Sequence, residues 1–178
     1  MKMLKKLLAV VLTGAMALTL LTACGSNAVT EKDLADAMND MAKAAEEDIT
    51  FTPRAKEREM AKAIAALSDE DLKELEESLK NSSLPEKAKE ILGINAGGAN
   101  ANNFVWCGAT YTDELGTSGQ ALNFMTQVMD KSANADKLRG KNPADDRYMG
   151  TALYKTVDEN GKQVTKRIIV VTAEAVDE

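Results

Sequence analysis

Residue types able to do chemistry are scarce in this chain. There is no histidine in its 178 residues, which excludes Ser-His-Asp and Cys-His nucleophile systems and every histidine-ligated metal site. Two cysteines, Cys24 and Cys107, are too few for a thiolate zinc site. Carboxylate pairs, a Ser-Lys pair and oxygen-ligated calcium remain. Ser78, Ser82, Ser83, Lys80 and Lys87 show no arrangement that marks a Ser-Lys nucleophile. Asp145-Asp146-Arg147, after Lys141-Asn142-Pro143, offers a cation site or an acidic pair for hydrolysis. Adjacent carboxylates on an extended chain point to opposite sides, however, whereas calcium needs several convergent oxygens. Asp158-x-Asn160-Gly161 lacks the later bidentate glutamate of a calcium loop, and a hairpin explains it better. No catalytic residue, metal or cofactor is assigned.

The cysteine whose surroundings are informative is Cys24. Upstream, Met1 to Lys6 carries three lysines and no acid, and Leu7 to Leu21 is apolar except for Thr13, Gly14 and Thr19. A basic start and an apolar run of this length form a signal-peptide pattern, too short to span a bilayer comfortably, which takes about 20 residues. Leu21-Thr22-Ala23-Cys24 resembles the lipobox of bacterial lipoproteins: an aliphatic residue, two small residues and the cysteine. The resemblance implies diacylglycerol on the Cys24 sulfur and cleavage before it, with two acyl chains giving a stable anchor. Residues 1–23 are then a signal peptide and 24–29 a lipidated tether. Residues 30–178 form a single domain on the extracytoplasmic face of a membrane. Asp is absent after Cys24, so the retention signal of some two-membrane bacteria is missing, and the outer membrane is the expected address in such a source.

Cleavage removes three lysines and no acids, leaving 19 basic against 28 acidic residues, a net charge of −9. That charge disfavours nucleic acid and anionic lipid headgroups as partners. Cys107, with no second thiol to pair with, lies in Phe104-Val105-Trp106-Cys107-Gly108-Ala109 and reads as a small core residue.

The elements expected to position these residues fall into a helical half, 30–93, and a strand-rich half, 104–176. Thr30 with Asp33 caps a first helix, whose inner face is Leu34, Ala37, Met38, Met41 and Ala45. After a break at Asp48 to Thr52, Thr52-Pro53 opens a second helix facing inward with Met60, Ile64 and Leu67. Ser68 with Asp71 opens a third, with Leu72, Leu75 and Leu79 inward, ending at Asn81-Ser82. Ser83 with Glu86 opens a fourth that stops at Gly93. Phe104 to Tyr111 reads as a strand buried on both faces. Thr117 with Gln120 caps another helix, facing inward with Leu122, Met125, Val128 and Met129. Lys131 to Asp146 reads as irregular. Arg147 to Val157 and Lys162 to Ala173 read as strands joined through Asn160-Gly161. The fold class is α+β: N-terminal helices, then a small, mostly antiparallel sheet with an inserted helix.

The helix Gly119 to Asp130, Ser132-Ala133-Asn134-Ala135, Tyr148-Met149-Gly150-Thr151-Ala152 and the Asn160-Gly161 hairpin follow one another in a familiar order. In that order they resemble the closing half of a CAP/SCP domain, of the cysteine-rich secretory and pathogenesis-related superfamily. The resemblance implies an α-β-α sandwich. It also implies a metal site of two histidines and two acids, whose positions are lost here. Ala135 stands at one histidine position, and Ala109, in Cys107-Gly108-Ala109-Thr110, stands at a glutamate position; the other histidine has no counterpart. A degenerate member of that kind would bind rather than catalyse.

Trp106, Tyr111 and Tyr148 are candidate ligand-binding residues, since rigid amphipathic rings suit a groove; for these and Tyr154, ordinary sheet core is the first expectation. The leading expectation is a membrane-anchored, non-catalytic binding or interaction domain for a protein or small apolar ligand. A carboxylate-only cell-envelope hydrolase and a lipid or small apolar ligand carrier are the alternatives.

Overall fold

The computed structural model describes residues 29–80, 84–112, 115–129, 132–158 and 160–177. Cys24 and its signal segment lie outside them, as do Asn81 to Ser83 and the Leu79 side chain. In chain order the elements are α1 (Glu31–Ala44), β1 (Thr50–Pro53), α2 (Ala55–Ala65), α3 (Asp69–Lys80), α4 (Glu86–Leu92), β2 (Asn103–Tyr111), α5 (Thr117–Gln127), β3 (Lys141–Val157) and β4 (Gln163–Asp177). The strands form one sheet in the order β1-β3-β4-β2. β1 runs parallel to β3, and the other two pairings are antiparallel.

Helices cover both faces of this sheet. On one face α1 and α5 pack over Phe51, Phe104, Trp106, Met149, Ile169 and Val171. On the other, α2, α3 and α4 pack over Val105, Cys107, Tyr154, Ile168 and Val170. Successive side chains of a strand point to opposite faces, so β2 and β4 supply both cores. This is why residues 104–108 are buried without a break, as expected of a strand covered on both sides. Each large side chain buried there, such as Phe51 or Ile169, contributes roughly 1.5–3 kcal/mol.

Local signals set most of the boundaries. Thr30 and Asp33 form a reciprocal capping box on α1, and Ser68 Oγ accepts from the Asp71 backbone N–H at the start of α3. Gly93 ends α4 with φ 65°. Among the described residues of the β3–β4 turn Gly161 alone takes positive φ, while Asp158 Oδ1 accepts from the backbone N–H groups of Asn160 and Lys162. The link is thus a longer, aspartate-stapled turn rather than a two-residue one.

Four expectations need correction. The break at Asp48 to Thr52 contains a strand, β1, so the sheet draws on the helical half, and α2 begins at Ala55 rather than at Pro53. β3 begins at Lys141, inside the segment expected to be irregular. Its first residues pair with the tail of β4, and the register shifts between Pro143 and Arg147. α5 has Gly116 at its N-cap with no side-chain cap from Thr117, and its buried face centres on Ala121, Phe124 and Met125. α4 follows Pro85, with no side-chain cap.

α2 sits directly on β3 because Gly150 has no side chain. A Cβ there would lie 2.0 Å from the Arg58 nitrogen and 2.2 Å from the Glu57 carbonyl carbon.

Candidate functional site

Charged groups buried on the α2 face belong to closed networks. Glu57, fully buried, accepts from Arg54 Nε at 2.7 Å, from Arg54 Nη2 at 2.5 Å and from Thr172 Oγ1 at 2.7 Å. Burial alone would raise its pKa, but the hydrogen bonds from Arg54 and Thr172 outweigh it and hold the carboxyl below its ordinary value. The Arg54 guanidinium also lies 3.7 Å from the centroid of the Tyr148 ring. Glu31 accepts from Arg58 at 2.7 Å and from the Thr151 backbone N–H at 2.8 Å, tying α1 to α2 and β3. Glu76 accepts from Lys166 and from the Tyr154 hydroxyl, and burial followed by this hydrogen bond pushes the phenol well up. Each network joins elements distant in sequence and leaves its carboxylates engaged.

On the α1/α5 face the arrangement is different. One row of the sheet reads Phe51–Arg147–Ala173–Phe104, strand by strand. Arg147 therefore projects inward among rings. Its guanidinium carbon is 4.9 Å from the Trp106 centroid and 5.9 Å from that of Phe51. Phe104 stacks on Trp106 with centroids 6.0 Å apart. Arg147 is 6 % exposed and Trp106 4 %. Burial pulls the guanidinium down to about 10, against the opposing pull of Asp145 and Glu47. Arg147 Nε and Trp106 Nε1, both buried, have no hydrogen-bond partner among the described residues. Leaving such a donor unpaired costs about 1–3 kcal/mol, a cost that an acceptor group reaching it would relieve.

Beside this row, α1 and β1 enclose an open recess of about 510 Å³ lined by Asn39, Lys43, Glu46, Glu47, Asp48, Ile49 and Thr50. Asn39 fixes its wall: its amide donates to Phe51 O at 3.1 Å and its oxygen accepts from Phe51 N at 2.6 Å. Glu46 at the rim has φ 56°, a left-handed backbone uncommon outside glycine.

No protein-family model matches the chain, and neither a curated protein nor a solved structure resembles it significantly.

The three aromatic candidates are not brought into one groove. Trp106 lies in the α1/α5 core, whereas Tyr148 stacks with Arg54 on the opposite face. Tyr111 is exposed at the end of β2, under the Lys166 ammonium. Cys107 is a core residue, its thiol pushed up to about 12 by burial. Asp146 accepts from Thr50 Oγ1, and no cluster of three or more metal-ligating side chains occurs among the described residues. In the segment 132–135, Asn134 acts structurally: its side chain accepts from Val105 N and donates to Asn103 O, capping the outer edge of β2. Sequence reasoning passes over Glu57 and gives Arg147 only as the neighbour of the Asp145-Asp146 pair, not as a binding residue. Arg147 shares the phase of Met149 on β3, and Glu57 lies on the same helical stripe as Met60 and Ile64, so both positions carried a signal.

Proposed function

We propose that the chain is a lipid-anchored extracytoplasmic binding domain, tethered through Cys24, that takes an acceptor-bearing group at the Arg147–Trp106 cluster. One observation carries the binding part: buried carboxylates are tied into closed networks, while the orphaned buried groups at this cluster are donors beside aromatic faces. A general acid needs a raised carboxyl pKa. The described carboxyls with a resolved shift, Asp33, Glu57, Asp71, Glu86 and Asp177, are all lowered, most of them first by a side-chain hydrogen bond. This supports binding over carboxylate hydrolysis. Helices on both faces of the sheet are compatible with the sandwich that the CAP/SCP resemblance implies.

Anchoring rests on Leu21-Thr22-Ala23-Cys24. Among the described residues no helix is long and apolar enough to cross a membrane. Two measurements test the proposal. Cys24→Ala should abolish incorporation of labelled palmitate. Trp106 is the only tryptophan, so titration with benzoate as a carboxylate probe should shift its emission in the wild type and not in Arg147→Met. Persistent labelling would refute the anchor. An emission indifferent to benzoate and to inorganic phosphate would refute the site, and turnover of glycans or peptides abolished by a carboxylate substitution would favour the hydrolase.

A further inference from the structure

β3 and β4 continue beyond the end of β2 as a two-stranded arm, since β2 stops at Tyr111 opposite Lys166. One face of this arm is covered: Tyr154 and Lys166 bond to Glu76 of α3, and Tyr154 belongs to the core under α2, α3 and α4. The other face carries Leu153, Lys155 and Val157 from β3 with Gln163 and Thr165 from β4. Leu153 is 43 % exposed and Val157 55 %. α1 starts at the level of Thr151, where Glu31 bonds to the strand, and so, among the described residues, it leaves this face uncovered. The described residues of the face include a lysine and no carboxylate, although the domain as a whole is strongly acidic. The nearby Asp158 is occupied by backbone N–H groups of the turn.

The chain enters the domain at the same place. Arg167, the register partner of Leu153, donates through Nη2 to Val29 O at 2.7 Å. Its guanidinium also reaches Thr151 Oγ1 and Gln120 Oε1, which fixes that entry point. Cys24 is only five residues before Val29, a span of at most about 18 Å even when fully extended. A lipid on Cys24 therefore holds the bilayer within reach of the arm.

We infer that the bare face of the β3–β4 arm, through Leu153, Lys155 and Val157, rests on the membrane that holds the Cys24 lipid. The inference depends on the lipoprotein reading above. Two apolar side chains flanking a lysine suit the interface, where the apolar groups enter the acyl boundary and the ammonium stays among headgroups. The contact adds a second attachment to the lipid and fixes the orientation, with the Arg147 end of the sheet directed away from the surface.

The test uses the full lipidated chain in vesicles of phosphatidylethanolamine and phosphatidylglycerol, with an environment-sensitive fluorophore on a single introduced cysteine. Cys24 is blocked by its lipid and Cys107 is buried, so Val157→Cys and, at the opposite end, the exposed Val176→Cys are labelled selectively. The expected result is a blue shift and loss of iodide quenching at position 157, and neither at 176. Leu153→Glu combined with a label at 157 should reduce the blue shift. If Cys24 incorporates palmitate yet 157 stays as accessible to iodide as 176, the docking inference is overturned and the anchor stands. If Cys24 incorporates none, both are overturned.

Discussion

Replacing Arg147 by methionine separates a structural role from a binding role. Lowering a guanidinium from 12.5 to about 10 corresponds to roughly 3 kcal/mol of unfavourable burial. Against this stands its attraction to Trp106 at 4.9 Å and Phe51 at 5.9 Å, together about 2 kcal/mol for a desolvated cation. Methionine keeps an unbranched stem between the same rings, and its thioether also favours aromatic neighbours. Arg147→Met should therefore stabilise the domain by about 1 kcal/mol, measured as a higher urea midpoint by far-UV circular dichroism with the slope unchanged.

The pH dependence supplies a second signature. Because the folded-state value is depressed, the penalty is present below about 10 and lifts as pH climbs toward 12.5. The stability gap between variant and wild type should narrow over that window. A variant destabilised by more than about 2 kcal/mol would refute the reasoning, since such a loss means a well-paired structural arginine. A stabilised variant that has lost the response of Trp106 to benzoate would identify Arg147 as a residue that serves binding at a cost in stability.

Three further outcomes follow from the packing. Gly150→Ala should cost about 3 kcal/mol or more, read as a large fall in Tm, because its Cβ meets backbone atoms of α2 that cannot move aside singly. Glu57 is held below its ordinary value of 4.5, so its contribution is present above that pH and is lost as pH falls through the lower folded value. Glu57→Gln should cost about 2 kcal/mol at neutral pH, discounted for the partly exposed Arg54, and should flatten the acid arm of an unfolding series. Cys107, with its thiol near 12, should resist disulfide reagents in the native protein and react at the rate of unfolding.

How far the sequence is legible depends on how local the deciding interaction is. The Thr30–Asp33 box, the Gly93 stop and the Asp158–Gly161 turn are each settled within a few residues, and they are where the spacing indicates. β1 is a four-residue strand whose reason to be extended is its partner, residues 146–149 on β3. Nothing nearby distinguishes it from a helix start at Pro53. Lys141 likewise joins β3 because it meets Asp177 across the pair and forms an ion pair with it. The aromatic candidates follow the same logic. Alternation along β3 gives Tyr148 and Met149 opposite faces, but whether Trp106 shares a face with either depends on the β2–β4–β3 register. Only that register reveals that Arg147, not Tyr148, lies over the indole.

The proposed binding cluster and the proposed membrane contact lie at different ends of the sheet, and their separation bears on the choice between binding and hydrolysis. Val29, where the described chain begins, is held beside Leu153 through Arg167, while Arg147 lies six residues from Leu153 along β3, about 20 Å at strand rise. The α1 helix bridges the two, with Glu31 fixed at Thr151 and Asn39 fixed at Phe51. The recess beside Asn39 adjoins Phe51, the row partner of Arg147, at the end of the sheet away from the proposed membrane contact. The buried carboxylate nearest to a catalytic disposition, Glu57, sits on the far side of the sheet, clamped by Arg54 and Thr172. Proton transfer from it would require breaking the contacts that hold α2 to β4, so catalysis there would compete with folding. The proposed binding at Arg147 requires only that an orphaned donor find its acceptor.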